Sequence, residues 1–170
     1  MKIALFGGTF DPVHNGHLAA AKAALKKTRA DELWFVPAFR NPWKKRQPSS
    51  ARHRLAMLRL AAKANAKFKV KDFEIRNRTS HTLDLVDFLL KKFPEHEFIF
   101  VVSTKTNGQL HRWKNAKVLL KKISVCVVPD FGKSLNSTAI RQRAKNGRSF
   151  DGLVPAPVEK YISGKKLYRG

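Results

Sequence analysis

The sequence predicts an α/β fold in which a parallel β-sheet carries helices on both faces. Short apolar runs alternate with helical patterns along the chain, which is the order that βαβ crossovers produce. Several of these runs are apolar throughout, as expected for strands that are buried on both faces. The 170 residues are 43% hydrophobic, which suffices for a proper core, and we interpret residues 1–170 as one domain.

Five strands are predicted from these runs. Residues 98–102 (FIFVV) are all apolar, whereas residues 68–75 (FKVKDFEI) alternate charged and apolar side chains, the period of a strand with one wetter face. The predicted strands are 3–6, 31–38, 68–75, 98–102 and 124–128.

Helices are predicted between the strands from apolar residues at helical spacing. The first begins near Leu18, after a glycine-rich turn, and Ser49 or Ser50 is expected to cap the second. Ser80 is expected to cap the third for the same reason, because a serine at this position accepts a hydrogen bond from the first helical turn.

The second half of the chain continues this alternation. Residues 103–108 are expected to form a polar loop, and a further helix is expected to open at residues 111–113. The helical segment at residues 135–170 begins with an amphipathic helix. Its expected cap is Ser137 or Thr138, and its expected stop is Gly147.

The most informative stretch is residues 7–18, which read GGTFDPVHNGHL. A strand that ends on Gly7 and Gly8 and re-enters as a helix leaves backbone N–H groups aimed at one point, and a helix N-terminus attracts anions. His14 and His17 are three residues apart, so their side chains share one face of the helix entrance. This stretch therefore predicts a phosphate site whose donors can also carry a proton.

Two other interpretations of the same stretch are weaker. It is neither the dinucleotide fingerprint nor a P-loop, so an ordinary strand-to-helix turn with two incidental histidines stays an alternative. A zinc site would need further ligands, and no cysteine or carboxylate–histidine cluster accompanies the two histidines.

Topology predicts which other segments join this site. Ligands of parallel α/β sheets bind outside the carboxyl ends of the strands. The glycine-rich turn follows the first predicted strand, a loop containing Lys44 follows the second, and Trp113 comes after the fourth. We therefore expect these three segments to converge at one edge of the sheet.

Composition limits the partners and the compartment. Thirty-five Lys and Arg residues against twelve Asp and Glu give a net charge of +23, which predicts weak, salt-sensitive binding of nucleic acids. No apolar run is long enough to span a membrane or to serve as a signal peptide, and the single Cys126 is expected to pack in the core. A cytoplasmic protein is the simplest interpretation, and the oligomeric state is not predicted.

These motifs resemble those of the nucleotidyltransferases, and the closest likeness is to the bacterial nicotinate-nucleotide adenylyltransferases. The stretch GGTFDPVHNGHL is similar to the family's glycine-rich turn and histidine element, and residues 137–141 (STAIR) resemble its second phosphate signature. The likeness covers most of the chain and implies a Rossmann-like fold. It also implies transfer of AMP from ATP to the 5′-phosphate of nicotinate mononucleotide, with Mg²⁺ present and pyrophosphate leaving in one in-line step.

The resemblance also assigns roles to individual residues. It implies that the catalytic residues are His14, His17, Lys44 and Arg141. The ATP-binding residues that it implies, besides His17 and Arg141, are Gly7, Gly8, Thr9, Phe10, Ser137, Thr138 and Ile140. Those implied for the mononucleotide are Thr82, Lys105, Arg112 and Trp113.

The chain departs from the family in two places. The stretch between the fifth strand and the STAIR helix is shorter than in the family, with only residues 131–136 remaining. Residues 103–105 read Ser-Thr-Lys where the family has Gly-Ala-Asp, so Lys105 reverses the local charge. Nicotinamide mononucleotide or another phosphate-bearing acceptor is therefore an alternative substrate, and a non-catalytic nucleotide or RNA binder is an alternative function. No close pair of carboxylates accompanies the motifs, so Mg²⁺ is expected to be held mainly by ATP oxygens and water.

Overall fold

A parallel sheet forms the centre of the computed structural model, which describes residues 1–39, 49–79, 81–131 and 135–169. Its five described strands run in the spatial order β3-β2-β1-β4-β5, and every pairing is parallel. The prediction of a parallel sheet is confirmed. The strands are β1 (Lys2–Gly8), β2 (Glu32–Pro37), β3 (Phe68–Val70), β4 (Glu97–Ser103) and β5 (Ser124–Val128).

Side chains of the sheet alternate between two separate cores. In β1, Ala4 and Phe6 point into one core, whereas Ile3 and Leu5 point into the other. Strand β1 lies at the centre of the sheet, between β2 and β4, and both of its faces are buried. This burial explains its continuous apolar run. Cys126 is buried in the same core as Ala4, as its apolar surroundings in the sequence predict.

Helices cover both faces of the sheet, as predicted. They are α1 (Asn15–Thr28), α2 (Ala51–Ala62), α3 (Phe73–Asn77), α4 (Thr82–Lys92), α5 (Thr104–Asn107), α6 (Ala116–Lys122), α7 (Ser137–Lys145) and α8 (Ala156–Gly164), with a 3₁₀ turn at Leu110–Arg112. Helices α4 and α6 supply Leu85, Leu89 and Leu119 to one core, whereas α2 and α7 supply Met57 and Ile140 to the other. No described helix combines the length and the apolar character needed to cross a membrane.

The third strand is shorter than its alternating pattern predicts. It ends at Val70, and Phe73–Asn77 form α3, so the predicted strand at residues 68–75 is wrong beyond its first half. Among the described strands, β3 lies at the edge of the sheet and pairs with β2 alone. Phe73 leaves the sheet and packs against Trp34, with ring centroids 6.0 Å apart.

Two other expectations in the second half are wrong in detail. Residues 103–108 contain the short helix α5 instead of a loop, because the Ser103 hydroxyl accepts a hydrogen bond from the Thr106 N–H at 3.2 Å. The helix expected at residues 111–113 is a 3₁₀ turn, and α6 begins only at Ala116. The left-handed backbone of Asn115 (φ 59°) separates the two.

Helix caps agree with the sequence in one case and differ in another. Ser50 caps α2, where its hydroxyl accepts from the His53 N–H at 3.4 Å. Asn136 caps α7 instead of Ser137 or Thr138, with its side-chain oxygen 2.9 Å from the Ala139 nitrogen. Ser80, the expected cap of α4, lies outside the described residues. Gly147 has φ +65° just after the end of α7, consistent with the predicted stop.

Candidate active site

A cleft of about 680 Å³ opens at the carboxyl edge of the sheet, where the topology predicts a ligand site. Gly7 and Gly8 line it at the end of β1, and Ser103 lines it at the end of β4. Segments far apart in sequence meet here, because the wall also includes Trp113 and Ser137.

The glycine-rich turn begins later than the sequence predicts. Strand β1 continues through Gly8, whose carbonyl accepts a hydrogen bond from the Ala38 N–H at 2.9 Å. The strand thus ends on its two glycines as expected, two residues beyond the predicted bound at residue 6. Gly8 serves a different purpose, because a Cβ at this position would lie 2.9 Å from the Phe10 ring. A side chain there would displace the ring and the turn that carries it.

The side chain of Phe10 belongs to the core and not to the cleft. The ring is 1% exposed and makes edge-on contacts with Phe6 and Phe35, at centroid distances of 5.7 and 5.6 Å. The backbone of Phe10 is left-handed (φ 50°), a conformation that the packed ring holds in place. Thr9, one residue earlier, lines the cleft.

The two histidines of the motif lie against each other in the cleft wall. The rings of His14 and His17 are stacked, with centroids 3.7 Å apart, so they share one face as their spacing predicts. The His14 backbone N–H donates to Nδ1 of His17 at 3.2 Å, which fixes the His17 ring at the first turn of α1. Gly16 permits this arrangement, because a Cβ there would lie 3.1 Å from the His14 ring.

His14 is electrostatically unlike an ordinary surface histidine. Its burial lowers its pKa to about 4, although the nearby Asp130 carboxylate opposes this shift. The ring is therefore neutral at pH 7 in the unliganded fold. Its buried Nδ1 has no hydrogen-bond partner among the described residues. A buried polar atom without a partner is costly, and its position in a cleft wall indicates a polar ligand.

The late motif joins the early one directly. The Ser137 hydroxyl donates to the Pro12 carbonyl at 2.9 Å, and Arg141 donates to the Asp11 carbonyl at 2.6 Å and to the Thr138 hydroxyl at 3.0 Å. Ser137 and Thr138 line the cleft, and these contacts hold the Arg141 guanidinium at the N-terminus of α7. The two motifs thus meet at the cleft, which Ser137 and Thr138 line and Arg141 does not.

The residues expected to hold the mononucleotide are only partly brought together. Thr82, Lys105 and Trp113 line the same cleft, and the Trp113 ring packs edge-on against Phe100 at 5.8 Å. Arg112 is exposed and is not part of the cleft wall. Two further predicted residues are not seen in the cleft wall. Ile140 is fully buried in the core, and Lys44 lies outside the described residues.

Comparison with known proteins identifies the family. The family model for cytidylyltransferase-like proteins matches residues 5–164. A relative from Exiguobacterium sibiricum, named probable nicotinate-nucleotide adenylyltransferase, is 36% identical over 187 residues, an alignment that covers 99% of this chain and 99% of the relative. The chain belongs to the nicotinate-nucleotide adenylyltransferase family. The prediction made from the two motifs is confirmed, and the protein is a nucleotidyltransferase.

Other relatives of this adenylyltransferase family agree. The nicotinate-nucleotide adenylyltransferase of Bacillus subtilis is 34% identical over 187 residues, covering 98% of both chains. The structure of Plasmodium falciparum nicotinic acid mononucleotide adenylyltransferase complexed with NaAD superposes with a TM-score of 0.78 over 98% of this chain and 97% of that chain. At 17% identity, this second likeness shows that the two proteins share a fold.

Sequence reasoning missed several cleft residues of this family member. Glu74 is the clearest, because it lines the cleft although it is only 7% exposed. Burial raises its pKa to about 7, opposed by a hydrogen bond from the Phe39 backbone and by the charge of Arg54. Glu74 was missed because residues 68–75 were assigned to a strand. In that alternating pattern a charged side chain is expected on the wetter face and not in a buried position. The other missed residues of the wall include His81, Lys114 and Asp130.

Proposed function

We propose that this protein transfers AMP from ATP to the 5′-phosphate of nicotinate mononucleotide and releases pyrophosphate. The observation that carries the proposal is the joining of the two phosphate motifs through Ser137 and Arg141 beside the stacked histidines. The same cleft continues to an aromatic and a cationic side chain, Trp113 and Lys105, which suit a pyridine nucleotide. Its relatives of 34% and 36% identity carry the name of this activity.

The chemistry needs positioning and charge stabilisation more than a base. An oxygen of the acceptor's 5′-phosphate attacks the α-phosphorus of ATP, and the bond from that phosphorus to the bridging oxygen of pyrophosphate breaks. The attacking group is already an anion, so no proton has to be removed from it. We assign to this chain's donors the task of holding the ATP phosphates in line with the acceptor and of stabilising the charge that develops on them.

The histidine pair is placed to hold the phosphates next to the bond that breaks. Neutral His14 has one ring N–H to donate. Burial lowers the pKa of its ring to about 4, and a bound polyanion would raise that pKa because it favours the charged form. His17, with Nδ1 occupied by the His14 backbone N–H, presents its other ring nitrogen as the donor. Both roles are part of the proposal.

The leaving pyrophosphate is assigned to Arg141 and Lys44. The guanidinium of Arg141 is held at the N-terminus of α7 by its contact with Thr138, where a planar fork suits phosphate oxygens. We further propose that Mg²⁺ accompanies ATP and is held mainly by phosphate oxygens and water, because this ion keeps several waters when it binds nucleotides. No step depends on a protein ligand to the metal.

A pyrophosphate-release assay tests the function. With ATP and Mg²⁺, nicotinate mononucleotide should release pyrophosphate with a kcat/KM well above that of nicotinamide mononucleotide, and the dinucleotide product should be detectable by chromatography. A reversed preference would assign the amide as the substrate. Silence with every mononucleotide, together with tight salt-sensitive RNA binding, would favour the non-catalytic binder.

Lys105 supplies the expected discrimination between acid and amide. Stacking on Trp113 does not distinguish the two rings, whereas an ammonium group in the same cleft favours the carboxylate. Lys105→Gln should lower kcat/KM for the nicotinate form about tenfold, the size of one lost charge-assisted hydrogen bond, and should change the nicotinamide form little. Lys117→Gln, at an exposed position of α6 that does not line the cleft, is the control. Equal losses with both acceptors would contradict this role.

Two broader expectations accompany this function. The charge of +23 in 170 residues should give weak nucleic-acid binding that disappears as salt is raised, because displaced counterions drive such association. We propose a cytoplasmic location, where the nucleotide substrates of such an enzyme are found.

A further inference from the structure

The end of the chain reaches back to the glycine-rich turn. The hydroxyl of Tyr168 donates to the Asp11 carboxylate at 2.8 Å, across 157 positions of sequence. Asp11 is 3% exposed, so its charge depends on hydrogen bonds from the protein. The other carboxylate oxygen accepts from the Ser49 N–H at 3.1 Å. The tail is therefore tied to the motif that carries the two histidines.

Asp11 is a meeting point of several segments. Its carbonyl accepts from Arg141 at 2.6 Å, so its backbone faces α7 while its side chain faces the C-terminal tail. Arg54, which is 2% exposed, supports the same turn by donating to the carbonyls of Thr9 at 3.0 Å and Ser49 at 3.1 Å. A change at Asp11 is thereby felt both at the turn and at the arginine assigned to pyrophosphate.

The backbone of the tail is bent in a way that delivers this hydroxyl. Tyr168 has φ +65° and Lys166 has φ +50°, left-handed conformations that side-chain-bearing residues rarely adopt. Such a backbone costs free energy and persists only where other contacts hold it. The contact of Tyr168 with buried Asp11 is one that can do so.

We propose that Tyr168 is a positioning residue for the phosphate-binding turn. Its hydroxyl fixes the Asp11 carboxylate, and through Asp11 it sets the backbone that leads to His14 and the guanidinium of Arg141. The inference rests on the proposed function for its effect on turnover. Its effect on ATP binding is independent of which mononucleotide, if any, accepts AMP.

Tyr168→Phe removes only the hydroxyl and leaves the ring. Because a hydrogen bond to a buried carboxylate is lost, the Kd of ATP, measured by calorimetry without acceptor, should rise about tenfold, and kcat should fall by a similar factor. The KM of the mononucleotide should stay within about twofold of its value in the unsubstituted protein. Tyr168 contacts Asp11, whereas the residues assigned to the mononucleotide are Thr82, Lys105 and Trp113. A merely structural hydroxyl would not separate the two substrates in this way.

Tyr161→Phe is the matched control. The Tyr161 hydroxyl contacts His53 Nδ1 at 2.9 Å and does not contact the turn, so its removal should lower Tm comparably and leave the Kd of ATP unchanged. Asp11→Ala combined with Tyr168→Phe should lose no more ATP affinity than Asp11→Ala alone, because Asp11→Ala already removes the acceptor of the Tyr168 hydroxyl. Equal ATP affinity in Tyr168→Phe and the unsubstituted protein would overturn the proposal. Absence of AMP transfer in the unsubstituted protein would instead overturn the proposed function.

Discussion

His17→Ala is expected to lower kcat for AMP transfer about 10²–10³-fold, the usual loss when one donor to transition-state charge is removed. His17 lies in the cleft wall, with its ring centroid 3.7 Å from that of His14. The measurement is single-turnover formation of the dinucleotide at saturating ATP, which separates the chemical step from substrate binding.

The alanine variant also loses a helix cap, so a second variant is needed. His17 Nδ1 accepts the His14 N–H, and loss of such a cap costs about 0.5–2 kcal/mol of stability. His17→Asn keeps a side-chain acceptor near the backbone but removes the outer ring nitrogen and the ring that stacks on His14. It should retain more of the Tm than the alanine variant and share the loss in kcat. A variant of either kind with full kcat would remove His17 from the mechanism.

The architecture of the site was predictable because topology and motif order both constrain it. Alternating strands and helices predict a parallel sheet, and a parallel sheet gathers its ligand loops at one edge. This is why the turn after β1 and the start of α7 could be expected to meet. Ser137 and Pro12, which form the contact between them, are 125 positions apart in the sequence. The two motifs then indicated the family without any structural information.

Details that depend on tertiary contacts could not be predicted in this way. Asn136, Ser137 and Thr138 are three adjacent residues that can all cap a helix, and local propensity does not choose among them. Asn136 becomes the cap while the Ser137 hydroxyl bonds to Pro12. Likewise the low pKa of His14 follows from its burial, which depends on how α1 packs against the sheet.

Glu74 gives the second large effect, which is a pH dependence of stability. Its pKa is about 7 in the folded protein against an ordinary value of 4.5, because burial disfavours the carboxylate. Between these values the folded state keeps a proton that the unfolded state has released. The contribution of Glu74 is therefore fully present below pH 4.5 and is lost as pH rises through about 7. The loss amounts to about 3 kcal/mol.

His14 acts in the opposite direction and has to be separated from Glu74. Its folded pKa of about 4 lies below the ordinary 6.5, so the unfolded state binds the extra proton and stability rises with pH through this window. In the unsubstituted protein the two slopes overlap and partly cancel between pH 4.5 and 6.5. His14 is present in both Glu74→Gln and the unsubstituted protein. Its contribution therefore cancels when the free energies of unfolding of the two proteins are subtracted at each pH.

Glu74→Gln should therefore become more stable relative to the unsubstituted protein as pH rises. Glutamine has nearly the same shape and does not titrate, so the difference in the free energy of unfolding between pH 4.5 and pH 8 should shift by about 3 kcal/mol in its favour. Urea unfolding at a series of pH values measures this shift. Glu97→Gln is the control, because that side chain is 64% exposed and its loss should leave the pH profile unchanged. If the profiles of Glu74→Gln and the unsubstituted protein run parallel, burial does not hold a proton on Glu74, and this side chain places a negative charge in the cleft wall at neutral pH.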